Sequence, residues 1–169
     1  KLKVSLDARD ISLRFRESEN GVQKLSLHEE SGRLVGIMGG SGVGKSTLLN
    51  LLSGIARPDS GNVFINGHDL NTPDGKEHLR GVIGFVPQDD LLFEELTVFQ
   101  NLYYNARMCL NNLGRERICE EVNRILADMD LYSVRDLKVG SPVNKVISGG
   151  QRKRLNIALE LIREPTILF

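Results

Sequence analysis

Two short stretches of the chain carry residues whose types and spacing suit them to bind an anion. Gly39 to Ser46, GGSGVGKS, fits the pattern G-x-x-x-x-G-K-[ST], in which backbone N–H groups wrap phosphates and the lysine reaches the terminal phosphates. Ile147 to Arg154, ISGGQRKR, places a serine and two glycines before a basic run, which predicts a helix N-terminus facing an anion. The chain therefore contains two predicted helix starts that face an anion, and a functional hypothesis must explain both.

The first stretch predicts a loop that holds the phosphates of a nucleotide. The N–H groups from Gly42 to Thr47 are expected to cradle the phosphates, Lys45 to bridge the outer two, and the Ser46 hydroxyl to ligate Mg²⁺. The alternative, a merely tight turn between a strand and a helix, would not need a lysine. The expected nucleotide contacts are Gly39, Gly40, Ser41, Gly42, Val43, Gly44, Lys45, Ser46 and Thr47.

Gln88 is a third candidate, because it follows an apolar run and Pro87 and would emerge where a strand ends. Its amide can contact both a water molecule and Mg²⁺. Asp89 and Asp90 beside it are more typical of a solvated loop than of a metal site. Phe15 is an aromatic residue that could stack on a base, although the residues alone favour ordinary strand packing.

The composition is that of an ordinary globular chain of single-domain size. Its 169 residues include 22 basic and 22 acidic side chains, so no overall field favours nucleic acid. No apolar run approaches the roughly 20 residues that span a bilayer. The two cysteines and three histidines lack metal-ligand spacing and are expected to be packing, surface or turn residues; they are Cys109, Cys119, His28, His68 and His78.

The patterning predicts strands in the first half of the chain. Residues 1–32 alternate apolar and polar residues in short runs broken by Asp-Ala-Arg-Asp and other turn signals, which favours antiparallel strands with one solvated face. Leu34 to Met38, LVGIM, predicts a strand buried on both faces before the phosphate loop. Further strands are predicted at Asn62 to Ile65, closed by an Asn-Gly turn, at Val82 to Val86, and at Thr166 to Phe169.

Helices are predicted from Lys45 onward, and the apolar stripes of the later ones are expected to pack in the core. One helix begins at Lys45 and ends at Gly54. Another follows the Thr97 to Gln100 capping box. The three later stripes comprise Val98, Leu102, Ala106 and Leu110; Ile118, Val122, Ile125, Leu126 and Met129; and Leu155, Ala158, Leu159 and Ile162.

GGSGVGKST, VPQDD and SGGQ, followed by an apolar strand in this order, resemble the nucleotide-binding domain of ATP-binding-cassette (ABC) proteins. In that family they are the Walker A loop, the start of the Q-loop, the signature motif and the Walker B strand. The resemblance implies ATP and Mg²⁺ as cofactors, with Lys45 and Gln88 acting in catalysis and Ser46 and Gln88 at the metal. It also places Phe15 where the family often stacks adenine. The signature residues expected at ATP are Ser148, Gly149, Gly150 and Gln151.

The family pairs two such domains head to tail, so that each signature helix covers the ATP in the partner's Walker A loop. This accounts for the second helix start, because two positive helix ends then share one anion. The implied partners are a second ABC ATPase domain, identical or homologous, and a membrane-spanning domain, with no nucleic acid. The implied location is the cytoplasmic face of a membrane, as a peripheral subunit or as the cytosolic domain of a membrane protein.

The implied fold class is α/β, a P-loop NTPase (RecA-like) core with an antiparallel β-subdomain and a helical subdomain, incomplete at its C-terminus. The expected division is 1–89 for the β-subdomain with the Walker A and Q-loop core, 90–164 for the helical subdomain with the signature motif, and 165–169 for the Walker B strand. The family's Walker B aspartate, general-base glutamate and switch histidine would follow Phe169. These 169 residues alone are therefore expected to be inactive or very slow.

VPQDDLLFEELTVFQNL and the residues after the signature motif look most like the White-type, or G-subfamily, transporters. That subfamily often has glutamate where this chain has Gln151. The predicted function is an ATP-binding and ATP-hydrolysing subunit or domain that couples dimerisation to transport across a membrane. The alternatives are a soluble ABC ATPase acting in translation or DNA repair, and a small-molecule kinase or GTPase. The last two would lack SGGQ, and a GTPase would carry an Asn-Lys-x-Asp motif that is absent here.

Overall fold

The computed structural model describes residues 3–14, 21–89, 91–141 and 146–169. Contacts between residues divide the chain into two compact units, 1–83 and 84–168, with Phe169 grouped with the first. The strands are β1 (Ser5–Arg14), β2 (Gly21–Glu30), β3 (Ser60–Ile65), β4 (His68–Asp69), β5 (Ile83–Gly84) and β6 (Ile167–Leu168). The helices are α1 (Lys45–Leu52), α2 (Pro73–His78), α3 (Val98–Cys109), α4 (Arg115–Asp128) and α5 (Gly149–Leu161), with a 3₁₀ turn at Tyr132–Val134.

A four-stranded antiparallel sheet, in the order β2-β1-β3-β4, dominates the first unit and confirms the predicted antiparallel strands. The expected interruption at Asp-Ala-Arg-Asp is wrong, because β1 continues through it by means of a bulge. Asp10 adopts a positive φ of 49°, and its N–H donates to Ser26 Oγ (2.9 Å). The extra residue shifts the alternation, so that Ile11 is buried on the same strand as Leu6 and Ala8.

The turn between β3 and β4 is the predicted Asn-Gly hairpin. Asn66 and Gly67 both have positive φ, 51° and 80°, as a two-residue turn that follows the strand twist requires. The turn fixes the pairing of Ile65 with His68. After three connecting residues the chain then forms α2, which the prediction omitted although Thr72 and Pro73 are a recognisable helix start.

The prediction of a buried strand at Leu34 to Met38 is wrong. All five residues are exposed, Leu34 and Met38 almost fully, and none is in a strand. A strand buried on both faces needs neighbouring strands to pair its backbone and cover its side chains. Within residues 3–14, 21–89, 91–141 and 146–169, no strand pairs with this segment.

Three helices, α3, α4 and α5, build the core of the second unit. The capping box predicted at the start of α3 is present, with Thr97 accepting from the Gln100 N–H (3.1 Å) and the Gln100 side chain accepting from the Thr97 N–H (2.9 Å). The predicted stripes are confirmed. Their fully buried members are Val98, Leu102, Ala106, Ile118, Val122, Ile125, Leu126, Leu155, Ala158 and Ile162, and Leu110, Met129 and Leu159 pack partly buried against them.

Strands β5 and β6 form a separate two-stranded sheet. The strand predicted at Val82 to Val86 is therefore shorter than expected, because only Ile83 and Gly84 have a strand partner in β6. The strand predicted at Thr166 to Phe169 is present as β6. None of the helices in the described part of the chain is long and apolar enough to cross a membrane.

Candidate functional site

The phosphate loop lies in the first unit and leads directly into α1. Gly44 stands at the N-cap with φ 93° and ψ 15°, a left-handed conformation that a side chain would strain. The Lys45 ammonium turns back over the loop and donates to the carbonyl oxygens of Gly39 (3.0 Å) and Gly40 (2.5 Å). The loop therefore curls around the end of its own lysine and places a positive charge beside its backbone.

The N-terminus of α1 is open. Helix geometry leaves the N–H groups of Lys45, Ser46 and Thr47 without partners inside the helix, and in the described structure no side chain caps them. The first turn holds no acidic residue. The first hydrogen bond along the helix is donated by the Leu48 N–H to the Gly44 carbonyl (2.8 Å). These N–H groups and the helix dipole together favour an anion at this end.

The signature residues begin α5 in the second unit, and the serine caps the helix as predicted. Ser148 Oγ accepts from the Gln151 N–H (3.2 Å), and Gln151 Oε1 accepts from the Ser148 N–H (2.7 Å). This capping box engages the Ser148 hydroxyl oxygen and the Gln151 amide oxygen. The Gln151 side chain thus has a local structural use, which the resemblance alone did not reveal.

The two signature glycines face open space. Both are exposed, and a Cβ built on Gly149 would meet no atom within 4 Å. A Cβ on Gly150 would meet only the Arg154 guanidinium (3.8 Å) and Ser148 Oγ (3.9 Å), at ordinary contact distance. Packing within the described chain therefore does not require glycine at either position. The small residues leave the helix N-terminus accessible to a group from outside.

Gln88 is exposed and follows a segment that is bound to α5 at both ends. The Lys153 ammonium donates to the Pro87 carbonyl (3.1 Å), and the Glu160 carboxylate accepts from the Phe85 N–H (3.4 Å). Two of the predicted site elements, the start of the Q-loop and the signature helix, are thus connected within the second unit. A displacement of α5 would be transmitted to the residue before Gln88.

Arg152 fixes the other side of the α5 N-terminus. Its side chain is buried, with 5% of its surface exposed, and it donates to the carbonyl oxygens of Val139 (3.3 Å) and Gly140 (2.5 Å). The basic run from Arg152 to Arg154 is typical of a solvated helix face, and this interpretation is wrong for Arg152. Its position inside the first helical turn, three residues before the buried Leu155, was the available signal.

An apolar groove of about 170 Å³ lies in the second unit beside α3 and α5. Leu91 and Phe93 in its lining are 73% and 69% exposed, whereas Leu92 between them is buried at 8%. Asn101, itself buried, holds this segment by accepting from the Phe93 N–H (2.8 Å) and donating to the Phe93 carbonyl (3.0 Å). The exposed groove lining continues onto α3 through Tyr104 and Met108.

The histidines have partners that their spacing along the chain does not reveal. His28 lies opposite Asp7 on the β1–β2 pair, with 2.6 Å between Nδ1 and Oδ1, and this hydrogen bond raises the pKa of His28 above its ordinary value. His68 and His78 stack against each other. The predicted surface placement is confirmed for His28 and His78, and the partners are new, because strand pairing and helix packing join residues that are not adjacent in sequence. Phe15 and Asp90 lie outside the described residues.

The chain is similar to known proteins along most of its length. The family model described as ABC transporter matches residues 22–169. The chain is 37% identical over 158 residues to the ABC-type transporter ClaG of Penicillium crustosum, covering 91% of this chain and 21% of that protein. It is 39% identical over 154 residues to ABC transporter G family member 23 of Arabidopsis thaliana, covering 88% and 24%. The chain thus spans about a quarter or less of the length of these relatives.

A solved structure is similar along nearly the whole chain. It is CbiO1 from Clostridium perfringens, described as part of the ABC transporter complex CbiONQ. The TM-score is 0.79 at 28% identity, and the match covers 96% of this chain and 63% of that one. The predicted α/β P-loop fold class is confirmed by this likeness.

Proposed function

Because the chain belongs to the ABC transporter family, as a nucleotide-binding domain most like those of the G type, we propose that it binds Mg·ATP and closes on a second such domain. ATP binding would bring the two domains together, and hydrolysis would let them separate. In the whole protein this cycle would drive transport of a substrate across a membrane.

The open N-terminus of α5 is the observation that carries the proposal. Gly149 and Gly150 are exposed, and packing among the described residues makes no use of their small size. The Ser148 cap satisfies the Gln151 N–H, and the N–H groups of Gly149 and Gly150 at the same helix end would attract an anion. The loop before α1 offers a second such helix end. A head-to-tail pair of domains would let one ATP contact the α1 end of one domain and the α5 end of the other.

The loop residues fit the charge and the chemistry of Mg·ATP. Gly39 to Thr47 would surround the phosphates, with Lys45 exchanging its bonds to the loop carbonyls for stronger charge-assisted bonds to phosphate oxygens. The Ser46 hydroxyl and the Gln88 amide oxygen are hard ligands of the kind Mg²⁺ prefers, and both residues are exposed. Bound Mg²⁺ would neutralise charge on the phosphates. Phe15 remains the proposed adenine contact.

Gln88 would orient the water that attacks the terminal phosphate. Its amide can accept a proton in a hydrogen bond but cannot remove one from water at neutral pH, so a carboxylate must act as the general base. The resemblance assigns that base to a glutamate that is not among these residues. We therefore expect the 169 residues on their own to hydrolyse ATP slowly.

The apolar groove is the proposed contact for a helix of a membrane-spanning domain. Leu91, Phe93, Tyr104 and Met108 are exposed around it, and exposed apolar side chains grouped in this way commonly mark contacts between proteins. The groove is bounded by the segment that leads from Gln88 and by α5. A helix seated there would contact both elements, at the cytoplasmic face of the membrane.

The substitution Ser148→Arg tests the pairing of domains. A bulky cation at the start of α5 should leave ATP binding by the same chain unchanged and prevent ATP-dependent dimerisation. Nucleotide affinity is measured with a fluorescent ATP analogue, and dimerisation by gel filtration with ATP under conditions that block hydrolysis. Ser133→Arg, at an exposed serine of the same unit, is the matched control and should still dimerise. Dimerisation of the Ser148→Arg protein would contradict the proposal.

A further inference from the structure

Two histidines and an aspartate form a cluster in the first unit that plays no part in the proposed ATP cycle. His68 lies in β4, and Asp74 and His78 lie in α2. One donor atom from each of the three side chains lies within 4.8 Å of the other two. The two imidazole rings stack with 4.5 Å between their centroids and 10° between their planes. Three ligating side chains thus converge on one patch of surface.

Close packing of α2 on β4 places the two histidines together. A Cβ on Gly75 would lie 1.8 Å from the Asp69 carbonyl oxygen, so only glycine permits this approach. The connection is further fixed by Thr72, whose hydroxyl donates to the Asp69 carbonyl (3.0 Å) and accepts from the Gly75 N–H (3.1 Å). Hydrogen bonds therefore hold β4 and α2, the two elements that carry the cluster, against each other.

The His78 ring is held in the tautomer that a metal ion needs. Its Nδ1 lies 2.9 Å from the Asp74 carbonyl oxygen, which can only accept. Nδ1 must therefore carry the hydrogen, and the lone pair is left on Nε2. A ring nitrogen that donates to a backbone carbonyl while the other is bare is the usual arrangement of a metal-binding histidine.

We propose that His68, Asp74 and His78 bind a divalent transition-metal ion, of which Zn²⁺ is the best match. Two imidazole nitrogens and one carboxylate oxygen are ligands that Zn²⁺ accepts, and they suit it better than Mg²⁺ or Ca²⁺. Ligands on a tetrahedral Zn²⁺ stand roughly 3.4 Å apart. Asp74 Oδ1 lies 3.5 Å from His78 Nδ1, the nitrogen that carries the hydrogen, so the carboxylate must turn toward Nε2 and the stacked rings must tilt to reach one ion. The side chains of His78 and Asp74 have room for this rotation, since they are 53% and 83% exposed, and it would close the separation of up to 4.8 Å.

The ion would join β4 to α2 and leave a fourth coordination position for water or for a group from outside. Because α2 has only six residues, its own hydrogen bonds contribute little, and its position depends on contacts with β4. A bound ion would add a cross-link between the two elements. The site is separate in sequence from the Walker A, Q-loop and signature residues.

Calorimetric titration of Zn²⁺ into the purified protein tests the site. Cys109 and Cys119 are replaced by serine beforehand, because free thiols compete for Zn²⁺. We expect one ion per chain, with His78→Ala and Asp74→Asn each weakening binding by at least about tenfold. His28→Ala is the matched control, since His28 is an exposed histidine beside a carboxylate but outside the cluster. It should bind Zn²⁺ as tightly as the parent.

The absence of Zn²⁺ binding in the parent, or equal affinity in the His78→Ala protein, would overturn the proposal. A second measurement does not depend on the folding of variants. Addition of Cu²⁺ to the parent should broaden the NMR ring signals of His68 and His78 and spare those of His28. Broadening of His28 alone, or of no histidine, would also overturn the site.

Discussion

Among single residues, Lys45 gives the most direct test of the proposed phosphate site. In the structure its ammonium bonds to the Gly39 and Gly40 carbonyls, and in the proposed complex it bonds to ATP. Lys45→Ala should weaken Mg·ATP binding at least about tenfold, because hydrogen bonds to charged groups are the strong ones and no neutral donor replaces them. Equilibrium binding of a fluorescent ATP analogue measures the loss.

Two further variants show whether the loss of affinity is specific to the Lys45 ammonium. Lys45→Arg keeps the charge but not the compact ammonium, and should also bind weakly, since a planar guanidinium does not fit the same curled loop. Lys76→Ala removes a lysine of the same unit from α2 and should bind normally. Unchanged affinity in the Lys45→Ala protein would remove the basis for the phosphate site.

At the scale of elements, the β1–β2 pair contains a pH-dependent contact. The hydrogen bond that His28 donates to Asp7, followed by the negative charge of Asp7, raises the pKa of His28 in the folded state above the unfolded value of 6.5. A raised pKa means that the folded state binds the proton more tightly. The contact therefore contributes fully below about pH 6.5, and its contribution is lost as the pH rises through the folded pKa.

Replacing His28 with glutamine tests this sign. The difference in unfolding free energy between the parent and His28→Gln should be larger near pH 5.5 than near pH 8.5. Urea denaturation at the two pH values gives both differences. A difference that does not change with pH, or one that grows as the pH rises, would show that the Asp7 contact does not control this histidine.

At the scale of the whole molecule, the proposed contact between the apolar groove and a membrane-spanning domain can be tested directly. Leu91→Asp and Phe93→Asp should each reduce assembly with the membrane-spanning partner, because each places a charge where an apolar helix would be buried. Leu137→Asp is the control, since Leu137 is an exposed leucine of the same unit outside the groove lining.

Copurification of the domain with the membrane-spanning part measures assembly, and ATP-analogue binding shows that the domain itself is intact. The variants should retain nucleotide affinity while losing copurification. If Leu91→Asp and Phe93→Asp assemble as well as Leu137→Asp does, the groove is not the contact.

The sequence by itself determined the local features of this protein. Helix caps depend on residues three positions apart, so Thr97 with Gln100 and Ser148 with Gln151 could be recognised without a structure. The Asn-Gly turn and the three apolar stripes are local in the same sense. The order of the phosphate-loop, Q-loop and signature motifs indicated the family, because each motif is a contiguous stretch.

Only the tertiary structure decided features that depend on distant residues. The exposure of Leu34 to Met38 follows from which strands lie beside it, which no local pattern records. Arg152 is buried because the carbonyls of Val139 and Gly140 are close enough to accept from it. His68 meets His78 because Gly75 lets a helix touch a strand. Local hydrogen bonds and periodicity depend on residues that are near one another in sequence. Burial and contacts between distant side chains arise only when separate elements pack together.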